Sequence, residues 1–128
     1  MAQDPTRSKK AAWIGWTLTA LAGGMFLMSA TMKVLAPPSV LQMFGHLGWQ
    51  PGDLAPLAIL EVTCALLYLI PPVSVLGAIV LTGFLGGAIA THVRVGEPVG
   101  MHVVIGLFIW GGLYLREPRL RALLPLRK

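Results

Sequence analysis

Charge is what this sequence has least of. Asp, Glu, Lys and Arg together make up 12% of its 128 residues, against 55% for the hydrophobic types. A soluble domain carries about a quarter charged residues, and a single core of this size cannot hide so much apolar surface. The excess must face lipid, so the composition implies an all-α integral membrane protein. Cysteine is almost missing too. Cys64 is the only one, so no internal disulfide forms and the redox compartment stays open. There is no paired-thiol motif, no phosphate-binding loop and no nucleophile triad.

The charge that is present is unevenly placed. The net charge of +5 comes largely from the two ends: Arg7, Lys9 and Lys10 before the first apolar run, and Arg116, Arg119, Arg121, Arg127 and Lys128 after the last. Only Lys33 and Arg94 lie between. Basic residues flanking apolar runs are topology determinants, which argues against nucleic acid as a partner and for the bilayer and its anionic headgroups.

The apolar runs read as four spans, at 11–35, 54–70, 73–94 and 100–115, between a cytosolic tail at 1–10 and a basic cytosolic tail at 116–128. The first is about 25 residues, or about 37 Å as a helix, longer than the apolar core of a cleaved signal peptide. Trp13 and Trp16 are placed as interfacial anchors, and Gly15, Thr19 and Gly23 form a small-residue stripe. Pro37-Pro38 stops this helix. Val40, Leu41, Phe44 and Leu47 then recur at helical spacing, which predicts a short interfacial helix with Trp49 as its anchor. Pro71-Pro72 leaves almost no loop between spans two and three. Gly83 and Gly87 form a GxxxG pattern that predicts close helix packing. Leucines at 120, 123, 124 and 126 suggest a surface-lying amphipathic piece in the final tail.

Two basic tails on one side require an even number of spans, so both termini are expected in the cytosol of a bacterial or archaeal cell. That topology gathers the rare ionisable residues. Lys33, Glu61, His92, Arg94 and His102 fall in the outer half of the four-helix bundle, while the inner half is expected to carry no charge. A lone carboxylate at Glu61 would be costly in lipid, so it needs a proton, water or a cation. The bland alternative is that Lys33 and Arg94 snorkel to headgroups and Glu61 merely ties two helices. The functional alternative is a ligand-binding and proton-exchanging pocket, with Cys64 on its wall. His92, His102 and Glu61 supply at most three zinc ligands, and two histidines joined by a tight turn cannot easily oppose one another across a haem. No metal site and no intrinsic cofactor is therefore expected, and no catalytic residue is assigned.

Ser29-Ala-Thr-Met-Lys33-Val-Leu35, Leu60-Glu61, Ala88-Ile-Ala-Thr-His92-Val-Arg-Val-Gly-Glu-Pro98 and the ending from Trp110 to Pro118 together resemble the DoxX-like family of small four-helix membrane proteins. The resemblance implies a four-helix bundle. It also implies association with membrane redox complexes, since name-giving members belong to a thiosulfate:quinone oxidoreductase and others to thiol-stress complexes. The thiosulfate enzyme works with a second subunit, so the chain is expected to be a subunit with a redox partner rather than an independent enzyme. Quinone is a possible ligand, and a homo-oligomer a possible state. The alternative reading is a structural or assembly subunit docking through its glycine faces. A small transporter or pigment binder ranks lower.

Overall fold

The structure, a computed structural model, describes residues 9–127. Nearly all of the tail expected at 1–10 lies outside the described residues. Helix α1 spans Lys9–Leu35 and is about 40 Å long at 1.5 Å per residue. It stops before Pro37-Pro38, where the chain turns through Ala36 at φ 46°. Helix α2 (Pro38–His46) opens on a proline, which is tolerated at the first helical position because no amide is needed there. Gly48, at φ 97°, turns the chain again. A 3₁₀ turn at Pro51–Asp53 leads into α3 (Leu54–Leu69), and another at Pro71–Val73 reverses it into α4 (Ser74–Arg94). The last long helix, α5 (Gly100–Arg116), is followed by one short turn, α6 (Pro118–Arg121).

The four long helices alternate in direction and pack in a closed cycle, α1 against α3 and α5, and α4 against α3 and α5. Small residues set the closest approaches. A Cβ at Gly15 would stand 2.8 Å from the Gly112 carbonyl oxygen, and one at Gly112 would stand 2.9 Å from Thr19 Oγ1, so α1 and α5 touch backbone to backbone. At the tight α3–α4 turn, a Cβ at Gly77 would run into the Tyr68 backbone. Gly83 and Gly87 behave differently. The GxxxG pattern predicts a helix contact there, yet a Cβ at either meets nothing within 4 Å. Within this chain they are open surface, because α4 is rotated so that Gly77, Leu81 and Leu85 face the core instead.

The apolar surface points both ways. Phe26, Tyr68, Leu81, Ile109 and Leu113 fill the core, while Met28, Ile59, Ile79, Val103 and Leu107 are exposed on the outer faces. By length and composition α1, α3 with its preceding turn, and α4 with its preceding turn can each cross a membrane, and α5 is a shorter apolar helix. The protein is a helical membrane protein. In the final tail Leu120 is buried against the bundle, whereas Leu123, Leu124 and Leu126 are exposed.

One expectation is overturned here. Arg116 belongs to α5 rather than to a solvated tail, and it is 9% exposed. The end of the bundle opposite α2 therefore does hold a buried charge. Arg116 donates from Nε to Thr19 Oγ1 (2.9 Å) and from its terminal nitrogens to Ser74 Oγ (3.4 Å) and the Tyr68 carbonyl (3.3 Å). Its guanidinium also lies over the Trp16 ring, 4.3 Å from the centroid. These contacts replace the water it gave up and tie α1, α3, α4 and α5 together at that end.

Candidate functional site

At the α2 end, Lys33 sits near the end of α1 with Ser29 one turn before it. Its Nζ donates to Ser29 Oγ at 2.7 Å and to Glu61 Oε2 on α3 at 2.5 Å. Both charges are buried, at 6% and 2% exposure. Two of the three ammonium donors are thereby satisfied, and Phe44 of α2 adds a ring face 5.3 Å away. Lys33 is thus turned into the bundle instead of snorkelling. Glu61 accepts only through Oε2, and its other oxygen makes no hydrogen bond among the described residues.

The histidines come from the neighbouring pair of helices. His92 on α4 and His102 on α5 stack with centroids 4.3 Å apart and planes tilted by 56°. His92 Nδ1 donates to the Ala88 carbonyl at 2.7 Å. Because a carbonyl only accepts, Nδ1 carries the hydrogen, and Nε2 of the neutral ring is left as an acceptor. His102 Nδ1 is buried and without a hydrogen-bond partner among the described residues, which leaves Nε2 as the nitrogen through which His102 can meet a ligand.

Lys33, Glu61, His92 and His102 line one cavity of about 760 Å³, together with Cys64. Its volume is within the range of small-molecule sites, and its walls combine apolar side chains with a few converging polar groups, as such sites do. Phe44, Leu47 and Trp49 close the end over α2.

Arg94 does not line this cavity. Its guanidinium donates to the Leu47 carbonyl just after α2, and it fits because Gly48 has no side chain, since a Cβ there would strike Arg94 Nη2. A second link joins the same two regions, His46 Nε2 to Glu97 Oε1 at 3.1 Å. The geometry thus divides the five titratable residues proposed from the sequence. Four meet at one cavity, and Arg94 fastens α2 across its end. Sequence reasoning missed Arg116 and its partners. The available signal was Thr19, Tyr68 and Ser74, polar groups at the depth of Arg116 on three other helices.

A family model described as the DoxX-like family matches residues 17–112. No curated protein and no solved structure matches the chain.

Proposed function

The chain belongs to the DoxX-like family, and from that premise we propose that it is a membrane subunit of a quinone- or thiol-linked redox complex. In this reading α1, α3, α4 and α5 form a four-span bundle with both termini cytosolic, and the cavity occupies the extracytoplasmic half. One observation carries it: a buried ion pair and a histidine pair from four different helices converge on a single cavity of about 760 Å³. A purely structural tie between α1 and α3 needs neither the histidines nor the space.

The donor set fits a quinone-type headgroup. Lys33 has one N–H left to give a ligand carbonyl, while Glu61 Oε1 and His92 Nε2 accept from a ligand hydroxyl. A quinone supplies two-electron, two-proton chemistry when bound. The chain's own part is to orient the ring, to hold a proton at Glu61 or His92, and to keep bulk water out under α2. Electrons would come from a redox partner protein.

The test is binding of a water-soluble benzohydroquinone, whose hydroxyls can donate to both acceptors, to purified protein, wild type against Glu61→Ala and His92→Ala, with folding checked by circular dichroism. Loss of binding in both variants is the expected result; unchanged binding in folded variants sinks the proposal. A second reading, an assembly subunit, is favoured by the open surface at Gly83 and Gly87. It expects that substitutions there disrupt co-purification of a partner complex while Glu61 variants do not.

A further inference from the structure

The cavity is not confined to the middle of the bundle. Its lining passes from buried Lys33 and Glu61 to Met25 (39% exposed), Leu60 (51% exposed), and Gly83 and Gly87, which are exposed as well. It therefore opens through the side of the molecule. Gly87 and Gly83 lie seven and eleven residues before Arg94, the last residue of α4, or about 10 and 16 Å along the helix. In a hydrocarbon layer about 30 Å thick, such an opening faces acyl chains rather than water. At the end of the bundle Phe44 of α2, Leu47 and Trp49 line the cavity, and Arg94 and Glu97 are bonded to that same segment.

A site that opens through its side toward lipid is suited to molecules dissolved in lipid. Resting on the quinone-type reading above, we propose that the ligand is a tailed amphiphile that enters sideways from the bilayer. Its headgroup reaches Glu61 and His92, and its apolar tail lies over Gly83 and Gly87. The two glycines then have a use that helix packing does not give them. They keep the floor of the exit flat, because any side chain at either position would stand in the space the tail needs. Glu61, 2% exposed and with one oxygen unbonded among the described residues, marks the polar terminus of the same path. A small oxidised-sulfur anion arriving from water has neither this route nor a use for it.

The experiment compares two probes on the full chain in lipid nanodiscs: a benzohydroquinone bearing a single ten-carbon chain, and the same ring without the chain. Quenching of tryptophan fluorescence, with Trp49 on the cavity wall, reports binding. Gly83→Leu and Gly87→Leu fill space that is empty in the wild type, so both variants are expected to fold. Each is expected to weaken the chain-bearing probe about tenfold, equivalent to about 1.4 kcal/mol, and to leave the ring-only probe unchanged. Chain-bearing affinity that is unaltered in both variants overturns the sideways route, as does equal weakening of the two probes. If the wild type binds the ring and the chain adds nothing, the quinone reading stands and this inference falls. If the wild type binds neither probe, both fall.

Discussion

Glu61 and Lys33 are each buried against the other, so neither can be altered alone at low cost. Removing one partner strands a charge in the interior, which costs about 3–5 kcal/mol. Glu61→Ala and Lys33→Met are expected to lower the thermal unfolding temperature sharply in detergent, and the double change Lys33→Met with Glu61→Leu to recover much of the loss. A double variant no more stable than either single one would contradict this account. At the other end, Arg116→Ala leaves Thr19, Ser74 and the Tyr68 carbonyl with fewer partners. A loss of about 3 kcal/mol is expected in the same assay, with Arg116→Lys intermediate because an ammonium cannot span the same fork. These two charges also mark how far residue types alone could be read. Lys33 and Glu61 stand out because they interrupt apolar runs. Arg116 follows an apolar run and precedes three more arginines, so composition merges it with the tail, and only its three-dimensional partners separate it.

Among the elements, α2 depends most on contacts outside itself. It is held at one side by a left-handed residue, Ala36, and at the other by Gly48, with the Arg94 and Glu97 links beyond. Gly48→Ala places a side chain at φ 97° and against Arg94, and Arg94→Ala removes the same fastening. Both are expected to speed the reaction of Cys64, the lone thiol on the cavity wall and 4% exposed, with a small maleimide. Unchanged labelling rates would show that α2 does not control access. The glycines give a second contrast. Gly77→Ala meets the Tyr68 backbone and is expected to cost about 1–3 kcal/mol or more. Gly83→Ala and Gly87→Ala meet open space and should stabilise α4 by about 0.5–1 kcal/mol each. Helix positions and the Pro37-Pro38 and Pro71-Pro72 breaks were legible from hydropathy and proline chemistry. Which glycine stripe meets another helix was not, because hydropathy carries almost no information on the rotation of a helix that is apolar on every side.

At the scale of the whole molecule, the alternating helices put the Glu97 turn and the α5–α6 end on opposite sides. In a Cys64→Ser background, Glu97→Cys and Arg119→Cys are expected to react with a membrane-impermeant thiol reagent from opposite faces of sealed vesicles, with Glu97→Cys on the extracytoplasmic face. Labelling of both from one face would exclude the four-span topology. The buried ion pair has a further consequence, for the order in which the protein is built. Lys33 emerges from the ribosome 28 residues ahead of Glu61, so α1 released early into lipid would carry a bare ammonium with no counter-charge. The 16-residue α3 has the mirror problem with its carboxylate. Each is a poor substrate for independent insertion and a better one in the other's company. Insertion of α1 and α3 is therefore expected to be more efficient when both are present than when either is alone.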